Sequence, residues 1–564
     1  MAVTTMPHAQ ILSLLRAGAL EQAEKEYFRL NLNTNTSNED IMALGGRILK
    51  TRALEKHGVA REKLALQAAK KYEEAYQKTG GTFSGVNTAA LYLVSGNKDK
   101  AQAIALDVLR ALKSSTPAPG SPAYYHIATV AEAELIVGNR ALAEQALADA
   151  ILLDPHNYEV HASTLHQFEM IIEAQGQEND WLTKFRPPKT IHYAGHMFGN
   201  VDGQNILDDP AVFALEKAVD NLLEADKFGA AYGALAAGSD ILIAERLLAH
   251  GIDLHIVQPC PDSLFEKLSL APFGSGWLKR FKHCKSNAAS VRYISKDASL
   301  ADELTCAFAS ETAKGLAILH ANQFATEAVQ LLIWDGRPSN HSGGTAKDAI
   351  LWQQSGRPQL IVPYSFKRAR AQNGAPWHKS NRSLKAMLFA DVANFGGLSE
   401  LQIPLFIRHV LTPLAAAYQN KHQALSHINT WGDGLFLVFD TVQAAANAAI
   451  ALQLSFQNID LRQTGLPENL ALRVGGHYGP THTLQDPFLH KDGIFGREVT
   501  VAARIEPNTA PGSIYISEPF ACALAASKLQ HFRCEPISGT VETKDQGGLT
   551  LFSLRKINPN DEGG

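Results

Sequence analysis

The chain has 564 residues, 45% of them hydrophobic and 19% charged, which is long enough for about three globular cores. A formal charge of -4 gives no electrostatic case for nucleic acid or an anionic membrane as a partner of the whole chain. The five cysteines never fall in a CxxC spacing, no stretch approaches twenty uninterrupted apolar residues, and the N-terminus lacks a basic start followed by an apolar run; a soluble, cytoplasmic protein with reduced thiols is expected.

Residues 1–184 read as helices throughout, because Ala and Leu recur at steps of three and four with little β-branched clustering. Three segments are alike: AGALEQAEKEY (17–27), SGNKDKAQAIALDVL (95–109) and VGNRALAEQALADAILLDP (137–155). Each sets a Gly and a short polar turn before Ala residues placed for close helix contact. They resemble the tetratricopeptide helix-turn-helix unit, and the resemblance implies an interaction region with a protein partner. Gly96 and Gly138 lie 42 residues apart (138 minus 96), against about 34 in that repeat, so a plain helical bundle is the alternative.

Adjacent prolines in FRPPKT (185–190) end the helical pattern. Over 188–364, short apolar strands, Gly-bearing turns and amphipathic helices then alternate, which predicts an α/β, Rossmann-like domain with a parallel sheet. The block GALAAGSDILIAERLLAHGIDLHIVQP with the turn WDGRPSNHSGGTA resembles the SLOG group of Rossmann-like domains. That resemblance implies a nucleotide-derived ligand, with Gly343, Gly344 and Thr345, and more weakly Gly195 and Gly238, letting backbone amides approach a phosphate. Equally, these glycines serve tight turns, and Asp240 and Glu245 answer a helix dipole. The basic, Pro- and Gly-bearing stretch 366–383 reads as an exposed tether.

From 384 to 556 the order strand, helix, hairpin, helix, strand predicts an α+β, split ferredoxin-like domain. If its first strand, LKAMLFADVANF, pairs beside the hairpin in NTWGDGLFLVF, Asp391 and Asp433 meet although 42 residues separate them (433 minus 391). Two carboxylates brought together repel, and divalent cations remove the conflict; a pair of ions suits phosphoryl transfer. The turn VANFGG, running into a helix expected at Ser399, offers amides and a helix N-terminus to a triphosphate. Taken singly, Asp391 reads as a strand-end turn cap and Asp433 as half of an Asp-Gly hairpin turn. His477 reads as a packed strand histidine.

The pieces LFADVANF, TWGDGLFLVF, LRVGGHYGP and FGREVTVAARIEPNTAPGSIYIS, in that order, resemble the class III nucleotidyl cyclase domain. The resemblance implies that Asp391, Asp433 and the Val392 carbonyl hold two Mg or Mn ions, and that Phe395, Gly396 and Gly397 wrap the phosphates. Arg504 matches the residue that stabilises charge at the phosphorus, and Lys544 a triphosphate lysine. It implies a homodimer whose site forms between two chains, and cyclisation of a nucleoside triphosphate with release of pyrophosphate. The pattern departs from the family at three positions. Asn429 and Gly493 replace the Lys with Asp or Thr of adenylyl members and the Glu with Cys of guanylyl members, and Thr500 stands for the ribose-orienting Asn. TWGD is also similar to the core of cyclases that make cyclic pyrimidine nucleotides in anti-phage defence. Two rival readings are a catalytically degenerate dimerisation or nucleotide-binding module, and a central-domain hydrolase with the C-terminal domain as its regulator.

Overall fold

The computed structural model describes residues 7–16, 19–35, 37–199, 210–297, 302–337, 344–363, 377, 380–419, 425–527, 531–543 and 547–556. Seven helices, Glu39–Leu54, Gly58–Thr79, Thr82–Val94, Lys98–Lys113, Ser121–Val137, Arg140–Leu153 and Tyr158–Gln175, follow one another with short turns. Ala101, Ala105 and Ala143, in the segments where close helix contact is expected, have no exposed surface, and neither have Ala65, Ala68 and Ala89 on the preceding helices. Removing these small side chains from water costs no rotamer entropy and lets the helices approach closely. Gly138 ends one helix at φ 101°, a left-handed conformation that favours glycine.

The middle of the chain forms a six-stranded sheet, all of whose pairings are parallel. Its strands are β1 (Lys189–Gly195), β2 (Phe228–Gly233), β3 (Asp253–Gln258), β4 (Ser290–Tyr293), β5 (Ala328–Trp334) and β6 (Gln359–Pro363). The order β4-β3-β2-β1-β5-β6 reverses direction between β1 and β5. Leu331, Leu332 and Ile333 in β5 have no exposed surface, as expected for a strand covered on both faces.

The C-terminal sheet contains β7 (Ser383–Ala393), β8 (Leu425–Trp431), β9 (Gly434–Phe439), β10 (Ala471–Gln485), β11 (Asp492–Phe495), β12 (Ile514–Ser517), β13 (Phe532–Thr543) and β14 (Gly547–Lys556). The spatial order is β13-β14-β12-β10-β7-β9-β8, with β11 paired to β10. Within it, β10-β7-β9-β8 and the two intervening helices reproduce the expected βαββαβ unit. β7 alternates strictly: Leu388, Ala390 and Val392 enter one core with Ala445, Ala449 and Leu452 of the helix Val442–Gln457. Met387 and Phe389 face the other way, against Val499 and Ala502 of the helix Arg497–Ile505. A side-chain period of two therefore puts Asp391 on the side of that second helix. One boundary is corrected: the helix after β7 begins at Ile403 instead of Ser399, after a 3-10 turn over Phe395–Gly397. Pro404 sits in its first turn, where a missing N–H costs nothing.

The helix Glu303–Gln323 is shared between the two sheets. It packs on β1, β2 and β3 and, on its other side, against the helix Glu518–Ala526 of the C-terminal domain. A Cβ at Gly315 would fall 2.3 Å from the Cα of Cys522, so only glycine admits this approach. Phe308 joins the C-terminal core, Tyr478 in β10 donates to Glu311 at 3.2 Å, and Arg292 pairs with Glu518. The expected tether is anchored at its end, because Arg382 is only 10% exposed and bonds Asp302 at 2.8 Å. Arg555 reaches Glu55 of the helical region at 2.6 Å.

Replacing Gly315 by Val forces backbone apart and should destabilise the chain by about 1–3 kcal/mol, the range for overpacking. Calorimetry should show a lowered first unfolding midpoint; an unchanged midpoint contradicts the close packing.

Candidate active site

The register of β7 on β9 runs from Ala386 opposite Phe439 to Ala390 opposite Leu435. Continued past the end of the ladder, it sets Asp391 opposite Gly434, the first residue of β9, and Val392 opposite Asp433, in the two-residue turn that joins β8 to β9. That turn is Gly432–Asp433, with Gly432 at φ 60°, so Asp433 is the second turn residue and not the first of an Asp-Gly pair. The amide of Val392 donates to Oδ2 of Asp433 at 3.3 Å. Because the N–H and C=O of a strand residue point the same way, the Val392 carbonyl leaves β7 on the same side, beyond the last β9 pairing.

The two acids are thus held together by backbone geometry. Burial first, then a hydrogen bond and charge repulsion from Asp391, push the Asp433 carboxyl up from its ordinary 3.8 to about 6. On the other side of Asp391 stands Arg473, its cross-strand partner in β10. Its guanidinium donates to Asp391 Oδ2 at 2.7 Å and lies 2.8 Å from Glu506 Oε1. Burial, opposed by Arg473 and reinforced by Asp391 and Asp433, raises the Glu506 carboxyl. The Nε of Arg473 is buried without a hydrogen bond, and Oε1 of Glu506, equally buried, faces only the Arg473 guanidinium. Three acids and one guanidinium therefore share this corner. Sequence reasoning missed Arg473 and Glu506; the signal was a charged residue at the start of the otherwise apolar strand LRVGG.

Among the described residues, no three His, Cys, Asp or Glu side chains form a metal cage. The set Asp391, Asp433 and Val392 carbonyl nevertheless fits Mg or Mn, which bind hard oxygen ligands and leave positions to water and substrate phosphates. The mutual repulsion that raises Asp433 is what a divalent cation would relieve.

The other expected residues lie around this corner as follows. Phe395 packs on Phe406 with ring centroids 4.8 Å apart, while side chains at Gly396 and Gly397 would meet open space. The amide of Gly397 is bonded within its own turn, to Asn394 O at 3.1 Å. Asn429 in β8 is exposed, and its Oδ1 accepts from the Thr430 amide at 3.0 Å. Gly493 in β11 is buried against Phe495. Thr500 and Arg504 are four residues apart on the helix Arg497–Ile505, Thr500 exposed and Arg504 half-buried. Lys544 lies outside the described residues. His477 is buried and bonded through both ring nitrogens, to Ser517 Oγ and Glu498 Oε2, each at 2.7 Å.

In the central sheet, Gly195 ends β1, where its amide donates to Asp240 Oδ1 at 3.0 Å. Burial pushes the Asp240 carboxyl up to about 7. Gly238 and Gly344, at φ 102° and 101°, immediately precede the helices Ser239–Ala249 and Thr345–Gln354. Thr345 is buried, Gly343 lies outside the described residues, and Glu245 pairs with Arg280 instead of a helix terminus.

Residues 379–556 match the family model of the adenylate and guanylate cyclase catalytic domain. Residues 15–193 match that of the MAP3K TRAFs-binding domain. Guanylate cyclase 2G of Mus musculus is 29% identical over 179 residues, which are 30% of this chain and 16% of that protein. Putative adenylate cyclase 3 of Rhizobium meliloti (strain 1021) is 32% identical over 146 residues, 24% of this chain and 22% of that protein. Among solved structures, the adenylyl cyclase CyaB from P. aeruginosa is similar at 19% identity with a TM-score of 0.27, over 32% of this chain and 96% of that one. The guanylate cyclase domain of RhGC from Catenaria anguillulae, in complex with GTP, is similar at 18% identity and a TM-score of 0.27, over 31% of this chain and 98% of that one. The chain spans about a fifth or less of the length of these two curated relatives. The family match supports a class III adenylate/guanylate cyclase catalytic domain at the C-terminal end.

A carboxyl raised to about 6 keeps a proton in the folded chain that the unfolded chain has lost above 3.8. Ionising Asp433 therefore costs stability as pH rises through that window. With a chelator present, Asp433→Asn should raise the melting temperature at pH 8 and leave it nearly unchanged at pH 4. An equal shift at both pH values would contradict the crowded pair.

Proposed function

We propose that the chain is a nucleotide cyclase that converts a nucleoside triphosphate to a 3',5'-cyclic nucleotide and pyrophosphate. The observation that carries this reading is the meeting of Asp391, Val392 and Asp433 at the end of β7, within the segment that matches the cyclase family. In the reaction the ribose 3'-oxygen loses its proton and bonds to the α-phosphorus, while the bond from that phosphorus to the pyrophosphate oxygen breaks. Asp391, Asp433 and the Val392 carbonyl would hold two divalent ions, which when bound supply positive charge to the phosphates and to the attacking oxygen. Arg473 orients the Asp391 carboxylate, and Glu506 braces Arg473 from behind. The open space above Gly396 and Gly397 leaves room for a triphosphate beside them.

The working unit in this reading is a homodimer in which Arg504 of each chain stabilises charge at the other chain's phosphorus. Support comes from the exposure of Thr500 on the same helix, and from apolar side chains bared at the two hairpins: Trp431 at 51%, Phe488 at 91% and Leu489 at 54% exposure. Such groups favour a covered surface. Asn429 offers a base edge one donor and one acceptor, and Gly493 only its backbone. The upstream regions would set how two catalytic domains meet: the parallel-sheet domain by binding a nucleotide-derived ligand, the helical region by binding a protein. The family match over 15–193 supports the second role.

The purified chain should release pyrophosphate and a cyclic product from at least one of ATP, GTP, CTP and UTP with Mn, read by mass spectrometry. Asp391→Ala should lower the rate at least about 100-fold, the scale for losing a group that stabilises the transition state, with the fold unchanged by circular dichroism. Full activity in that variant would overturn the assignment.

A further inference from the structure

The helix Arg497–Ile505 lies across β10 on the face that also carries Asp391. Two glycines of the segment GGHYG make this possible. A Cβ at Gly475 would fall 2.4 Å from the amide nitrogen of Glu506, and one at Gly479 would fall 2.9 Å from Cγ of Glu498. The helix and the turn that follows it thus touch the strand backbone at both ends. Between the two glycines, and pointing the same way, stands His477.

Its side chain is 4% exposed, with Nε2 2.7 Å from Glu498 Oε2 and Nδ1 2.7 Å from Ser517 Oγ. An imidazole donating from Nε2 to the carboxylate and accepting the Ser517 hydroxyl proton at Nδ1 satisfies the whole set. Ser517 in turn accepts from the Phe520 amide at 3.4 Å, capping the helix that abuts the central domain. Glu498 is in the first turn of the nine-residue helix, two positions before Thr500 and six before Arg504. Val501, Ala502 and Ile505 anchor the buried side of that helix.

We propose that His477 is a positioning residue, whose bond to Glu498 fixes the helix that presents Thr500 and Arg504 to the partner chain's reaction centre. The inference rests on the cyclase reading above for its effect on rate, and on this chain's own contacts for its effect on the helix. An apolar residue here would leave the Glu498 carboxylate and the Ser517 hydroxyl without a buried partner and free the helix N-terminus to shift. Displacements near 1 Å are enough to cost about 100-fold where geometry limits the reaction.

The test uses full-length chains mixed in pairs. A chain carrying Asp391→Ala can lend only Arg504, and a chain carrying Arg504→Ala can lend only its acids, so their mixture has one complete site. Adding His477→Ala to the Arg504-lending chain should lower the mixture's kcat at least about tenfold, with KM changed less than about twofold. The same change on the acid-lending chain should lower it less than about twofold, and His477→Gln on either chain should restore most of the rate, because an amide can donate and accept. Hydrogen exchange at the amides of Arg497–Ile505 should quicken in His477→Ala and return toward the parent rate in His477→Gln. Equal loss in both mixtures, or unchanged exchange in that helix, overturns the proposal. Failure of the cyclase reading looks different: no pyrophosphate forms from the unmutated chain, and exchange alone then decides whether the clamp exists.

Discussion

One constraint organises the C-terminal domain: the register of β7 against the β8–β9 hairpin holds two carboxylates against each other. Asp433 gains nothing by this in isolation, since burial and then the neighbouring Asp391 push its carboxyl up to about 6. The cost persists because β7 pairs with β9 as far as Ala390 and with β10 as far as Ala393. Moving β7 by one residue would turn Leu388, Ala390 and Val392 out of the core and Met387 and Phe389 into it. Hydrophobic alternation along one strand therefore fixes where the acids stand, and the energy that keeps them close comes from the core beneath.

Around that pair the charges run in a row, Asp433 and Asp391 side by side, then Arg473, then Glu506, so that one guanidinium stands between two of the three acids. Arg473 neutralises Asp391 from the β10 side and leaves the Asp433 side open. The same strand bears His477 four residues on and Tyr478 next to it, one bonded to the helix that carries Arg504 and the other to the central domain through Glu311. β10 thus links the acidic corner, the helix Arg497–Ile505 and the helix Glu303–Gln323 of the central domain within six residues. The helix Glu303–Gln323 meets this strand directly through the bond between Glu311 and Tyr478, and meets the helix Glu518–Ala526 with no slack where Gly315 abuts Cys522.

Much of this was legible in the residues. Strand and helix periods exposed the βαββαβ order, and the single Asp in LFADVANF and the Asp in TWGDG stood out because acids are costly in apolar strands. What stayed hidden has physical causes. Arg473 and Glu506 acquire meaning only through cross-strand register and a helix crossing, neither of which leaves a local pattern. His477 reads as an ordinary core residue until Glu498 and Ser517, 21 and 40 residues away in sequence, are brought to its two nitrogens. The helix start at Ser399 was misplaced because Pro404 and a tight turn over Phe395–Gly397 delay it. The exposed reading of Arg382 failed because Asp302, 80 residues upstream, was invisible as its partner.

The proposed cyclase reaction requires Asp391 and Asp433 to hold divalent cations together. A crystal of the protein grown with Mn and a non-hydrolysable triphosphate, measured at the Mn absorption edge, puts this to the test. Anomalous density is expected within coordination distance of both carboxylates and of the Val392 carbonyl. Mn located elsewhere, with the two carboxylates splayed apart, would contradict it.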